Sequence, residues 1–179
     1  MELTKKISFT KDNVQCVVRS LKTSDVRDTY IQSLESSRRF LDHSNLHQSL
    51  LAKKRYIQEK NSSSRDVLTG LFIDHELVAT CGFQVWSEAD LAAVGILVFN
   101  STPRRCGWGS AVLWAGCKLV KEQMEIRRFL ASIKASNRAS LGLFWKAGFS
   151  TIVTNSELVW VGRLSTLTKP LDISVGVRA

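Results

Sequence analysis

The chain has 179 residues, 44% of them hydrophobic, and a formal net charge of +9. That length and apolar content suit one globular domain with a packed core and exclude a disordered or low-complexity chain. No apolar run approaches the roughly 20 residues of a membrane-spanning helix. The charge favours an anionic partner without naming one. Cys16, Cys81, Cys106 and Cys117 form no C-x-x-C pair. His43 and His47 stand i,i+4 but lack a third ligand, so no metal site is expected. The opening stretch MELTKKISFTKDN has no secretory apolar core, and a reduced, cytoplasmic protein is expected.

In chain order, KKISFTKDNVQCVVRSL sets two β-like runs about a polar turn and predicts a hairpin or bent strand. TSDVRDTYIQSLESS opens on Thr23, Ser24 and Asp25, which have N-cap chemistry. It then repeats Val26, Tyr30 and Leu34 at helical spacing, with Ile31 widening the stripe. SNLHQSLLAKKRYIQEK predicts a second helix, capped by Ser44 or Asn45, with Leu46, Leu50, Tyr56 and Ile57 as apolar positions. NSSSRD is a loop. Three strands follow: VLTGLFI, ending at an Asp74-His75 turn; ELVATCGFQVW; and LAAVGILVF, apolar almost throughout, as a strand covered on both faces should be. A helix from about Gly107 to Glu122, a strand at RRFLASI and a short helix at NRASLGLFWKAGF, stopped by Gly148, come next. FSTIVTN and ELVWVGRL predict a closing hairpin through Asn155-Ser156. This is the order of a single α/β domain with a mixed sheet. The domain is expected over residues 1–165, with 166–179 a tail that either adds an edge strand through DISVGV or stays irregular.

The stretch RRCGWGSA, residues 104–111, joins the apolar strand to the long helix. Gly107 and Gly109 let the backbone approach a ligand closely. The first N–H groups of the helix lack intrahelical partners and, with the helix dipole, favour an anion. Arg104 and Arg105 add charge beside them. The turn is therefore read as a phosphate or pyrophosphate cradle. It is not a P-loop, because no Gly-Lys-Ser/Thr follows. Nor is it a dinucleotide fingerprint, because Val112 stands where the third glycine belongs.

RRCGWG fits R-x-x-G-x-G, and NRASLGLFWKAGF fits N-x-x-x-x-x-x-[YF]-x-K-x-G-F downstream. Together they resemble the GNAT acetyltransferase superfamily from about Val67 to Phe149. VGILVFNSTPRRCGWGSAVL is most similar to the branch of ribosomal-protein N-terminal and nucleotide-amino-sugar acetyltransferases. The resemblance implies a mostly antiparallel mixed sheet flanked by helices, with a splayed strand pair that binds acetyl-CoA. Backbone groups of Ile96, Leu97 and Val98 would pair with the pantetheine arm. N–H groups of Arg105, Cys106, Gly107, Trp108, Gly109 and Ser110 would hold the pyrophosphate. Gly95 either relaxes the strand or marks a bulge. Arg104 or Arg105 either binds a ribose phosphate or lies on a solvated face, and Trp108 is read as packing. Asn137 either bonds the cofactor arm or caps its helix. Lys146 either reaches phosphate or stays in water.

Phe144 occupies a position where many relatives carry a tyrosine that protonates the leaving thiolate. Phenylalanine has no proton to give, so Phe144 is expected to pack against the cofactor arm. The strand before the motif carries no carboxylate. Glu88 and Asp90, just upstream, are the candidate bases, with His43, His47 and Glu76 more distant. Positioning and polarisation of the thioester carbonyl supply much of such catalysis, so turnover does not require either group. The expectation is a cytoplasmic N-acetyltransferase moving an acetyl group from acetyl-CoA to a primary amine by direct attack. The acceptor would enter between the N-terminal helices, the strand Glu76 to Trp86 and the final hairpin. A small-molecule amine, a nucleotide-linked amino sugar, ranks ahead of a protein N-terminus. A CoA-binding module without turnover is the first rival. Nucleic acid ranks last, because the basic residues are scattered and no reading motif is present. No membrane partner is expected, and a homodimer is left open.

Overall fold

The computed structural model describes residues 2–40, 49–99, 101–102, 106–164 and 169–175. Strands β1 (Ile7–Lys11) and β2 (Val14–Ser20) form a hairpin. Helices α1 (Asp28–Ser36) and α2 (Leu50–Ser62) follow, then strands β3 (Asp66–Ile73), β4 (Glu76–Trp86) and β5 (Leu91–Val98). The long helix α3 (Trp108–Met124) leads to β6 (Arg128–Lys134), α4 (Arg138–Lys146), β7 (Ser150–Thr154), β8 (Leu158–Leu164) and β9 (Ile173–Ser174). One sheet holds them in the order β7-β8-β6-β5-β4-β3-β2-β1-β9. Every neighbouring pair is antiparallel except β5 and β6.

Local chemistry sets the tight hairpins. Asp12-Asn13 and Asp74-His75 both hold two consecutive residues at positive φ, 50° and 64°, then 47° and 70°. That is the two-residue turn whose twist matches the flanking strands. At the last hairpin the Asn155 side chain accepts from the N–H groups of Glu157 and Leu158, at 2.9 and 2.7 Å.

Both helix starts in the N-terminal half differ from expectation. Asp25 caps a short 3-10 turn at Thr23–Asp25, accepting from the Lys22 N–H at 2.7 Å and pairing with Arg19. The chain is extended at Val26 and Arg27, and α1 begins only at Asp28. Val26 is buried, so its apolar side chain anchors a crossing segment rather than a helix stripe. Helix α2 is capped by Ser49, whose hydroxyl accepts from the Ala52 N–H at 3.2 Å. Ser44, Asn45 and Leu46 lie outside the described residues.

The sheet separates two apolar layers. On one face α3 buries Ala111, Val112, Leu113, Ala115 and Leu119 against β1 to β6, with Trp114 edge-on to Phe9 at 5.8 Å. On the other, α1 and α2 cover a smaller cluster of Tyr30, Leu34, Ile57, Leu68, Leu97 and Phe99, with Tyr30 stacked on Phe99 at 5.3 Å.

Candidate active site

Strand β5 is paired unequally on its two edges. Against β4 it pairs from Leu91 to Val98 without a bulge. Against β6 it pairs only at Leu91 with Arg128, Ala92 with Phe129 and Ala93 with Leu130. From Val94 onward the two strands splay. The Phe99 N–H donates to the Val78 carbonyl at 2.9 Å. Opposed residues of an antiparallel pair alternate between bonded and unbonded, so Leu97 and Gly95 also direct their backbone groups to β4. Val94, Ile96 and Val98 therefore turn theirs toward the gap. This corrects the expectation for Leu97, whose backbone is already engaged, while Ile96 and Val98 offer a free strand edge to an extended ligand.

The start of α3 adjoins this gap. Its cap, Gly107, sits at φ 75°, a conformation that glycine takes without strain. The first helical bond runs from the Ala111 N–H to the Gly107 carbonyl at 3.0 Å. The N–H groups of Trp108, Gly109 and Ser110 thus have no intrahelical acceptor and form an anion-favouring end. A Cβ on Gly109 would stand 2.4 Å from Leu143 Cδ1, 3.5 Å from Val98 Cγ2 and 3.7 Å from Ile96 Cδ1. Gly109 is thus the point where α3, α4 and β5 meet at the gap. Leu143 was not singled out in the sequence; the only hint was its place beside Phe144. Trp108 is buried in the core, and Cys106 is exposed. Arg104, Arg105, His43 and His47 lie outside the described residues.

Asn137 caps α4, accepting from the Ser140 N–H at 3.1 Å. Phe144 is buried and edge-on to Phe149 at 4.9 Å. It is a core residue, and the apolar side chain facing Gly109 is Leu143; this corrects the expected contact of Phe144 with the cofactor arm. Lys146 is exposed in the last turn of α4, where the helix dipole favours a cation.

The candidate bases lie at the end of β5 that is closed against β6. Glu88 belongs to a 3-10 turn at Ser87–Ala89. Asp90 accepts from the Arg127 N–H at 2.6 Å and pairs with the Arg127 side chain at 3.2 Å. It ties together the starts of β5 and β6, where the pair is closed. At about 3.3 Å per residue, Asp90 stands roughly 20 Å along the strand from Ile96.

On the α1–α2 face Gly95 lies opposite Gly82, flanked by the pairs Thr80–Leu97 and Gln84–Ala93. A Cβ on Gly95 would meet nothing within 4 Å. With no positive φ, no bulge and no crowding, glycine here serves neither conformation nor packing; it leaves a bare floor level with the splay. Tyr30 reaches the Thr80 hydroxyl of the adjoining pair, its pKa raised by burial and eased by that hydroxyl. Lys53 of α2 is buried, its ammonium 4.0 Å from the Tyr56 ring and 5.4 Å from that of Tyr30. Burial lowers its pKa to about 8. A separate cavity of about 860 Å³ runs along β1 beside Lys5, Lys6 and Lys118, and shares none of these residues.

A sheet opened beside a glycine-bearing helix N-terminus presents a strand edge and an anion-favouring end to the same gap. The sequence matches the Acetyltransferase (GNAT) domain over residues 15–150, and the chain belongs to that family. It is an N-acyltransferase that uses acetyl-CoA. No curated protein matches it by sequence. Among solved structures it is similar to RimJ of Mycobacterium smegmatis in complex with CoA-disulfide, at 12% identity and TM-score 0.77, covering 92% of this chain and 90% of that one. The acetyltransferase of Salmonella typhimurium that modifies the N-terminal serine of ribosomal protein L7/L12 aligns at 16% identity and TM-score 0.71, over 89% and 99%. The ribosomal-protein-S5-alanine acetyltransferase of Vibrio fischeri aligns at 13% and 0.68, over 92% and 100%. Among the described residues no helix is long and apolar enough to cross a membrane.

Proposed function

We propose that this chain transfers the acetyl group of acetyl-CoA to the α-amine of a polypeptide. The observation that carries the reading is the bare floor at Gly95, opposite Gly82, beside a gap at which Asp90 and Glu88 do not arrive. A site without a carboxylate at the splay suits an amine that loses its proton readily. An α-amine, with a pKa of about 7.7–8.0, does so far more easily than a lysine at about 10.4. The same reasoning admits an amino sugar, which the sequence ranked first. The reversal is supported by structural neighbours described as an alpha-N-protein acetyltransferase of ribosomal L7/L12 and as modifying the N-terminal serine of that protein.

In the proposed reaction Ile96 and Val98 align the pantetheine arm, and the turn from Gly107 to Ser110 holds the pyrophosphate. The neutral amine, seated over Gly95, attacks the thioester carbonyl carbon. The C–N bond forms, the C–S bond breaks, and the nitrogen loses a proton while the thiolate gains one. Phe144 supplies no proton, so the thiolate takes its proton from solvent or from the attacking nitrogen, which is positively charged once the C–N bond has formed and sheds a proton as the C–S bond breaks. Orientation and a strand N–H on the carbonyl oxygen provide the acceleration.

The test is an acceptor panel read by thiol release and mass spectrometry. Peptides with a free α-amine are expected to be acetylated there, and lysine-bearing peptides with blocked N-termini are not. Activity on nucleotide-linked amino sugars with none on any α-amine would overturn the assignment.

A further inference from the structure

Lys11, at the end of β1, places a cation where a helix least favours one. Its side chain is 2% exposed, and its ammonium lies 5.0 Å from the ring of Trp108, the first residue of α3. A Cβ on Gly107 would stand 3.4 Å from Lys11 Nζ and 3.1 Å from Asp172 Oδ2. The ammonium therefore sits at the positive end of the α3 dipole, which disfavours it. Two carboxylates offset that cost: Asp12 at 2.6 Å, from the adjoining turn, and Asp172 at 2.5 Å, from the C-terminal segment. Burial pulls the Lys11 pKa down, but these two partners more than reverse it and keep the group charged.

The partners differ from the lysine in how firmly they are held. Asp12 and Asp172 are 60% and 44% exposed, while Lys11 is enclosed. Asp172 precedes β9, which pairs with β1 at only two positions, Thr10 with Ser174 and Lys11 with Ile173. A buried cation held beside a helix end by an exposed carboxylate on a briefly paired segment is arranged for a change of anion. The ligand that the α3 turn is built to receive carries phosphates.

We propose that Lys11 is a phosphate-binding residue of the cofactor site, and that Asp172 holds its ammonium until a cofactor phosphate takes that place. This rests on reading the Gly107–Ser110 turn as the pyrophosphate cradle. Lys11 then contributes affinity, and Asp172 is a competitor that the cofactor displaces.

The two residues are expected to change CoA affinity in opposite directions. Calorimetric titration of CoA into the full chain should show binding weakened about tenfold by Lys11→Met, with a flatter salt dependence, and retained by Lys11→Arg. Asp172→Asn, at an exposed position, should strengthen binding about threefold. Repeating the titration with dephospho-CoA tells which phosphate is involved: a loss that persists places Lys11 on the pyrophosphate, one that vanishes on the 3′-phosphate. If both variants weaken binding equally, Lys11 and Asp172 only brace the turn and the proposal fails. It fails also if neither variant shifts the affinity. Gly109→Glu tests the cradle independently: a variant that still binds CoA would remove that reading, whatever the lysine does.

Discussion

The two faces of the sheet are filled to different degrees. On the α3 face the helix is apolar nearly all round, and eleven of its residues, from Trp108 to Val120, are buried. On the α1–α2 face the cluster is smaller, a lysine is buried among tyrosines, and two glycines face each other across β4 and β5 with open space above one of them. Dense packing makes α3 a rigid platform, so the cradle at its start holds a defined shape. The sparser face leaves room. The comparison teaches that one face is packed for fixed geometry and the other keeps open space, which is the division that the proposed function requires of a cofactor side and an acceptor side.

The strongest challenge is Gly109→Glu. A side chain there displaces Leu143 and crowds the N–H groups of the cradle, so loss of two charge-assisted bonds, about 3 kcal/mol or more, is expected. CoA affinity should fall by at least about a hundredfold in calorimetry. A melting curve should also show lowered stability, because Leu143 Cδ1 lies 2.4 Å from the new Cβ. Pairing the substitution with Leu143→Ala relieves the clash and separates the two effects.

Gly95→Leu probes the other face. Its side chain enters open space, so folding and CoA affinity should be unchanged, while kcat/KM for the acceptor should fall about a hundredfold, some 2.7 kcal/mol. Equal losses in CoA binding and transfer would show that Gly95 serves the cofactor and would erase the contrast between the faces.

Lys53→Met sharpens the comparison through stability. The lysine pKa falls from 10.5 to about 8 in the folded protein. Below about pH 8 the native state holds a buried charge; between there and 10.5 the unfolded chain binds the proton and the folded one does not. Stability of the unaltered protein therefore rises with pH across that window. The methionine variant should be more stable by about 1–3 kcal/mol at pH 7, with the gain shrinking toward pH 10. Denaturant midpoints at several pH values measure it. A constant difference would mean that the lysine binds its proton equally in the folded and unfolded chain, so that burial does not shift it.

Asp90→Asn should have the smallest effect. The carboxylate is an ion-paired tie at the closed end of β5, so kcat/KM should change less than about tenfold, under 1.4 kcal/mol. The pH–rate profile should keep following the acceptor's own pKa. A profile that loses its rising limb in this variant would restore Asp90 as a base.

Much of the fold was legible because its signals are local. Gly107 needs positive φ, Asn137 caps the turn that follows it, Gly148 ends α4, and Asp74-His75 makes a hairpin; each effect acts within a few residues. The turn at the start of α3, with Gly107 at positive φ, was legible for the same reason. Helix starts were less so. Asp25 and Ser49 both have capping chemistry, but which segment each caps depended on where Val26 and Ile57 found a core.

What tertiary structure alone decided is direction and company. Glu88 and Asp90 are close to the key strand in sequence, yet the antiparallel run of β5 carries them to its closed end. Phe144 and Leu143 are neighbours in the chain, but the phase of α4 against the sheet sends one into the core and the other over Gly109. The splay itself has no signature in β5, because it consists of a partner strand turning away. Lys11 and Asp172 come from opposite ends of the chain, and only sheet order brings β9 beside β1 and both residues to the start of α3. Sequence patterns report each residue's conformational preference, a property of a few bonds; which edge, face or charge it meets depends on the packing of segments far apart in the chain, and that is settled only when they fold together.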